Sequence, residues 1–380
     1  MSLPVLKIGD LTVKLPIVQG GMGVGISLHR LASAVSAQGG VGVIAGAMIG
    51  IREPDVGSNP AEANARAIKK EIRLARSLSD GVLGVNIMVA LTDFVALVRA
   101  AVEEKIDIIF AGAGLPLDLP KHLLDMCEEK KEEFKTKLIP IVSSGRAAGI
   151  LCKKWISRFG VVPDGFVVEG PKAGGHLGFK AEDLDSPDFS LEHILRETID
   201  AAKNFEDKAG RAIPVIAAGG VYTGEDIHRM LTMGAAGVQM ATRFVATHEC
   251  DADDRFKQAF VNARQEDLTI IKSPVGMPGR AIKNHFIEAL TDKKPNFRCI
   301  FRCVHTCDPK NSPYCIAAAL FNAMRGNLEK GFAFAGANVG RISGIISVKE
   351  LMDCLQQEFE AAKSIWLGKA GAMAMEAPQT

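Results

Sequence analysis

Eight short apolar runs, each rich in Val, Ile and Ala, constrain this chain more than any other feature. They are residues 16–19 (PIVQ), 41–45, 82–89, 106–110, 138–142, 166–168, 215–217 and 238–241. Between them lie stretches with helical spacing near 28–38, 61–78, 92–104, 120–134, 146–159, 191–208 and 224–233. The runs are nearly continuous rather than alternating apolar with polar, which is what burial on both faces of a parallel sheet demands. An open doubly wound sheet is the structural competitor, but eight successive strand–helix units in a row suit a closed (β/α)8 TIM barrel better. The expected class is therefore α/β, with the barrel over residues 1–248 and a second, mostly helical lid region over 249–340. A C-terminal helix returning to the barrel, and a tail, fill 341–380. Within the lid region a charged helix is expected over 251–263, a Gly- and Pro-rich loop over 269–279, and helices over 281–290 and 317–328 without intervening strands. SVKELMDCLQQEFEAA, 347–362, reads as a capped amphipathic helix and MAMEAPQT as a frayed tail.

Charge excludes some functions. With 45 Lys and Arg against 44 Asp and Glu, the net charge of +1 leaves no electrostatic footprint for nucleic acid. The N-terminal MSLPVLKIGDLTVK has no basic segment leading into an apolar core, and no uninterrupted apolar run approaches the ~18 residues a membrane span requires. A soluble, cytoplasmic protein with no membrane partner is expected. The eight cysteines are spread along a long chain, so thiols are expected rather than a disulfide framework.

In a barrel the loops after the strand C-termini build the site. Here those loops hold Gly20 to Gly23, Asn86, Ala111 to Gly114, Ser143 to Gly145, Glu169 to Gly178, Gly219 to Val221 and Ala241 to Arg243. In GFVVEGPKAGGHLGF, residues 165–179, the strand ends at Glu169 and a glycine-rich turn places His176 between Gly175 and Leu177. Glycine lets backbone approach a ligand closely, and imidazole exchanges a proton near neutrality. His176 is therefore the candidate catalytic residue, presented rather than packed; the competing reading is a histidine that braces its loop. Ala217 to Gly220 and Gln239 to Arg243 end adjacent strands, where barrels commonly cradle a phosphate on backbone N–H groups. Their bland reading is a pair of tight turns that close the barrel.

KAGGHLG, AAGGVYTGEDIHRMLTMGAAGVQMATRF and the N-terminal PIVQGGM together resemble the nitronate monooxygenase family, formerly the 2-nitropropane dioxygenases. That family is related to FMN-dependent enoyl-acyl-carrier-protein reductase II and to some NADH:quinone reductases. The resemblance covers the barrel and continues into GMPGRAIKNHF, Gly276 to Phe286. It implies FMN, with its phosphate at Gly219, Gly220, Ala241 and Thr242 and its ring against Gly21, Met22, Gly23 and Asn86. Ala113, Gly114, Glu169, Gly174, Gly175, Gln239 and Met240 complete the implied cofactor-binding set. The implied activity is oxidation of alkyl nitronates or nitroalkanes with O2, with His176 as the proton-transfer group. The alternative is NAD(P)H-dependent reduction of enoyl thioesters or quinones, and an alternative of another class is a flavin-binding protein without turnover. A small-molecule substrate is implied, with NAD(P)H as a candidate reductant and a homodimer as a candidate assembly. Three positions depart from the family pattern: Lys172 stands where Glu precedes AGGH, Glu169 where many nitronate monooxygenases have Gln, and Asn338 in place of the Gln of an AGQ motif. The charge reversal at Lys172 bears on substrate or nicotinamide preference. A nucleotide-binding barrel like inosine-monophosphate dehydrogenase would need a cysteine on the loop after the sixth strand, and Gly170 to Phe179 contains none.

Cys299, Cys303, Cys307 and Cys315, with His305 among them, form the least usual stretch. Such density can bind zinc or an iron–sulfur centre, but the spacings fit neither the zinc-knuckle nor the usual ferredoxin pattern. A helix would align the first three at i, i+4 and i+8, which suits packed thiols, and no metal is expected.

Overall fold

The computed structural model describes residues 3–290 and 299–375, with side chains described as far as 367. A hairpin of β1 (Leu6–Ile8) and β2 (Leu11–Val13) precedes the barrel. The eight apolar runs become β3 (Ile17–Gln19), β4 (Gly42–Ala45), β5 (Leu83–Met88), β6 (Ile108–Gly112), β7 (Lys137–Val142), β8 (Phe166–Glu169), β10 (Val215–Ala218) and β11 (Gly237–Met240), with the two-residue β9 (Gly175–His176) after β8. The barrel strands pair in parallel in the order β3-β11-β10-β8-β7-β6-β5-β4. Bridging of Val18 to Val41 brings the two ends together. The architecture is a TIM barrel.

Burial explains the unbroken apolar runs. In β8, Phe166 and Val168 face the helices while Val167 faces the barrel interior, and β10 repeats this with Val215 and Ala217 outside and Ile216 inside. Neither face meets water, so neither can be polar. Leu6, Ile8 and Val13 of the hairpin join the same interior cluster as Val43, Phe110 and Ile139. Asp10 in the hairpin turn pairs with Lys137 at the start of β7, 2.5 Å away, so the hairpin sits at the N-terminal end of the strands. The opposite end is left for the site.

The outer layer comprises α1 (His29–Ala37), α2 (Pro60–Leu78), α3 (Phe94–Glu103), α4 (Leu119–Lys130), α5 (Gly145–Phe159), α6 (Leu191–Lys203), the short α7 (Glu206–Ala209) and α8 (Gly224–Thr232). Their ends follow local chemistry. Ser144 accepts from Ala147 N–H to start α5, Gly160 ends it at φ 66°, and Thr223 with Asp226 forms a capping box on α8.

After the barrel come α9 (Thr242–Val245), α10 (Asp254–Asn262), β12 (Leu268–Lys272), β13 (Pro278–Ile282), α11 (His285–Glu288) and α12 (Ile316–Met324). The expectation of helices without strands fails here. Residues 268–282 form an antiparallel hairpin, and only His285–Glu288 of the expected 281–290 helix is helical. The Gly and Pro residues punctuate rather than dissolve this segment: Pro278 opens β13, and Gly276 takes φ 86° in the turn. What makes the hairpin worth forming is its third strand, since β13 pairs with β9, Gly279 opposite His176. No local pattern announces such a partner. No helix carries Cys299, Cys303 and Cys307; residues 299–315 have no helix, and Val304 bridges to Leu91.

The last helix, α13 (Val348–Met375), is longer than the expected 347–362, and residues 376–380 of the expected tail lie outside the described residues. It returns to the barrel against α8, where Glu358 accepts from Gly224 N–H at 2.7 Å. A Cβ on Gly224 would lie 2.2 Å from Phe359 N, so this crossing admits only glycine. Among the described residues no helix is long and apolar enough to cross a membrane.

Candidate active site

A cavity of about 280 Å³ opens at the C-terminal end of the barrel strands. It gathers nearly every residue singled out from the sequence: Gly21, Met22, Gly23, Asn86, Ala113, Glu169, Gly174, Gly175, His176, Gly219, Gly220, Gln239, Met240, Ala241 and Thr242 all line it. Gly114 does not; it takes φ 127° beside Val89, one residue beyond the lining Ala113.

One end of the cavity is built for an anion. Gly219 and Gly220 follow β10 with φ of 85° and 109°, a left-handed pair that turns successive N–H groups outward. A Cβ on Gly219 would stand 2.6 Å from Gly170 O, so side chains are excluded there as well as disfavoured. Among the described residues the N–H groups of Gly219, Gly220 and Thr242 have no protein acceptor. The surrounding backbone is fixed. Asn338 Nδ2 donates to Gly220 O at 2.8 Å, and Thr242 Oγ1 accepts from Gly336 N–H at 2.9 Å. Free donors in a rigid frame fit a phosphate monoester.

The floor is narrow because strands and loops touch. A Cβ on Gly21 would come within 2.4 Å of Asn86 Cβ, and one on Gly23 within 2.9 Å of Ala47 Cβ. Asn86 Nδ2 makes only a 3.5 Å contact with Phe110 O, which leaves its amide available to a planar ring. The residues present thus fit FMN at both its ends.

His176 sits in β9 rather than in an open turn, half-buried at the cavity wall. Its Nε2 lies 2.7 Å from Ser273 Oγ, and its ring meets Phe334 edge-on with centroids 5.0 Å apart. Loss of solvent pushes its pKa down to about 4, so the ring is neutral at pH 7. Glu169, the last residue of β8, lines the cavity without a hydrogen-bond or ion-pair partner among the described residues. Burial pushes its carboxyl up to about 7. An acid and a base whose environments move them toward neutral forms share one cavity.

Sequence reasoning missed the groups that hold His176 and its loop. Arg280 donates from Nη2 to Pro171 O at 2.7 Å and from Nε to Ala173 O at 3.2 Å, tying the loop after β8 to the hairpin. Burial lowers the Arg280 pKa from its ordinary value. Arg280 lies inside the family-like GMPGRAIKNHF stretch, a signal that pointed to the segment and not to the role. Ser273 and Phe334 carried no signal, because their meaning lies in a neighbour 97 and 158 residues away. Phe256, Phe260, Leu320, Phe332 and Phe334 give the outer cavity an apolar wall.

The cysteines are near the cavity but not in it. Cys303 and Cys315 pack with Val24, Met48 and Ile51, and burial pushes the Cys303 thiol up to about 12. Among the described residues no group of three or more His, Cys, Asp or Glu side chains is placed to hold a metal ion.

The profile of the family described as nitronate monooxygenase matches residues 5–358. A (3aS,4S,5R,7aS)-5-hydroxy-7a-methyl-1-oxo-octahydro-1H-indene-4-carboxyl-CoA dehydrogenase of Mycobacterium tuberculosis (strain ATCC 25618 / H37Rv) is 29% identical over 275 residues, 72% of this chain and 65% of that protein. The chain thus spans slightly under two thirds of the length of that relative, and the same 65% of its Rhodococcus jostii counterpart. A probable nitronate monooxygenase of Staphylococcus aureus (strain Newman) is 25% identical over 311 residues, covering 74% of this chain and 79% of that protein. Among solved structures, FabK from Thermotoga maritima superposes with a TM-score of 0.71 at 26% identity, over 94% of this chain and 96% of that one. Nitroalkane oxidase from Streptomyces ansochromogenes shares the fold, with a TM-score of 0.70 at 20% identity over 93% and 98% of the two chains.

Proposed function

Because the chain belongs to the nitronate monooxygenase family, we propose that it is an FMN-dependent oxidoreductase that oxidises alkyl nitronates or nitroalkanes with O2. The observation that carries this reading is the joining, in one cavity, of a row of backbone donors at Gly219, Gly220 and Thr242, without a protein acceptor among the described residues, with a neutral imidazole at His176. When bound, FMN supplies the electron chemistry, and the protein binds, orients and handles protons. Gly219, Gly220, Ala241 and Thr242 would hold its phosphate, and Gly21, Met22, Gly23 and Asn86 its ring. The remaining proposed contacts are Ala113, Gly114, Glu169, Gly174, Gly175, Gln239 and Met240. His176 acts at the reacting end of the substrate, on a carbon-bound proton or on the oxygen atoms beside it. The aromatic wall from the region after the barrel keeps water from that end.

A second reading is favoured by two features: Glu169 at the end of β8, and the length of apolar wall from Phe256 to Phe334. Both suit NAD(P)H-dependent reduction of an enoyl thioester, whose carbonyl would meet His176 and whose acyl chain would lie along the phenylalanines. One steady-state screen of FMN-reconstituted protein separates the readings. Oxygen consumption with alkyl nitronates supports the first; NADH or NADPH oxidation with enoyl thioesters or quinones supports the second. Flavin binding without turnover on any of them would favour a flavin-binding protein, and failure to retain FMN would overturn all three.

A further inference from the structure

His176 has two ring nitrogens, and only Nε2 has a protein partner among the described residues, Ser273 Oγ at 2.7 Å. Which atom donates is decided by what else Ser273 can do. Ser273 is 3% exposed, in the turn between β12 and β13. Its backbone is already used, N–H donating to Met277 O at 3.1 Å and O accepting from Gly276 N–H at 3.0 Å. Its hydroxyl oxygen accepts from Val275 N–H at 3.4 Å. The hydroxyl hydrogen has no acceptor other than His176 Nε2 among the described residues. Were Nε2 to carry a hydrogen, Ser273 Oγ would receive two donors and its own hydrogen would be buried unmatched, the costly arrangement for a buried polar group.

We infer that Ser273 donates to His176 Nε2 and thereby fixes the ring as the Nδ1–H tautomer, so that His176 offers the cavity a hydrogen-bond donor rather than a basic lone pair. Ser273 is then a positioning residue, absent from the sequence-derived site. The pairing of β9 with β13 and the edge contact with Phe334 hold the ring in that orientation. The neutral state of the ring agrees with this, since a protonated imidazole would oppose the serine hydrogen. A neutral imidazole N–H can polarise an oxygen without giving up its proton. Resting on the proposed function, the inference assigns that N–H to a nitronate oxygen or a thioester carbonyl oxygen, the atom where negative charge resides or develops. It removes His176 from the role of carbon base.

The test is two-bond 1H–15N correlation spectroscopy of histidine-labelled, FMN-reconstituted protein at pH 7, with the His176 signals assigned by their loss in His176→Asn. Nδ1 should be protonated and Nε2 unprotonated. Ser273→Thr should preserve that pattern, and Ser273→Ala should shift it toward the other tautomer. In the assay that the screen identifies, His176→Asn, whose amide N–H falls near the place of Nδ1–H, should retain more of kcat than His176→Ala, for which a loss of about 10²–10³-fold is expected. A wild-type ring protonated on Nε2 alone, or on both nitrogens, would overturn the inference, as would an unchanged tautomer in Ser273→Ala. Failure of every candidate substrate would sink the proposed function while leaving the tautomer measurement intact.

Discussion

Glu169 and His176 are single residues whose environment matters more than their identity. Burial raises the Glu169 pKa, so the folded protein binds its proton more tightly than the unfolded chain between the ordinary carboxylate range and about pH 7. Its contribution to stability is therefore lost as pH rises through that window. His176 has the opposite sign: its pKa is pushed down to about 4, and its contribution is gained as pH rises from there to its ordinary value. A comparison of Glu169→Gln with wild type cancels the histidine. The mutant's melting temperature should gain on wild type as pH climbs from 5 to 8; a constant difference would mean that the carboxyl titrates normally. In turnover, an inflection near pH 7 should vanish in Glu169→Gln. His176→Ala should keep its flavin, because His176 is not among the proposed cofactor contacts, which rest mostly on backbone donors and Asn86, while kcat falls; loss of both together, seen by absorbance, would make His176 a structural residue.

At the scale of elements, the loop after β10 and the crossing of α8 with α13 are set by glycine for different reasons. Gly219→Ala adds a methyl that meets Gly170 O at a φ of 85°. It should weaken FMN binding by tenfold or more in a fluorescence titration, leaving the global fold intact. Gly224→Ala pushes α13 away from α8 instead, since its Cβ would stand 2.2 Å from Phe359 N. Overpacking of this kind costs about 1–3 kcal/mol, and urea denaturation should report it with FMN affinity little changed. The hairpin of β12 and β13 shows why element reading failed here. β12 is β-branched and free of Gly and Pro, but a Gly- and Pro-containing turn and the start of β13 follow it, both strands are short and half exposed, and β9, some hundred residues earlier, stabilises the pair. The i, i+4, i+8 spacing of Cys299, Cys303 and Cys307 gives no helix, because the segment is held instead by the bridge of Val304 to Leu91 and by Cys303 packing beside Val24, Met48 and Ile51.

For the whole molecule, a cofactor gripped by loops from several strands around one mouth of the barrel should stabilise the fold as a unit. FMN at a hundredfold excess over its Kd should add about 2.7 kcal/mol, visible as a rise in melting temperature; an equal rise with riboflavin would mean that the phosphate cradle contributes nothing. The sequence by itself determined the barrel, because a strand buried on both faces must be apolar at every position, and eight such runs leave little choice of architecture. It also determined where the cavity lies, because glycines such as Gly219 and Gly220 are demanded by their own backbone angles, a local property. Only the tertiary structure decided what surrounds His176. Ser273 and Phe334 reach it, and Arg280 reaches the loop before it, through a hairpin and a returning loop, and nothing in their own neighbourhoods requires a serine, an arginine or a phenylalanine. Hydrogen bonding and desolvation act through space, so the protonation state of that ring is a property of the packed molecule and not of the segment that carries it.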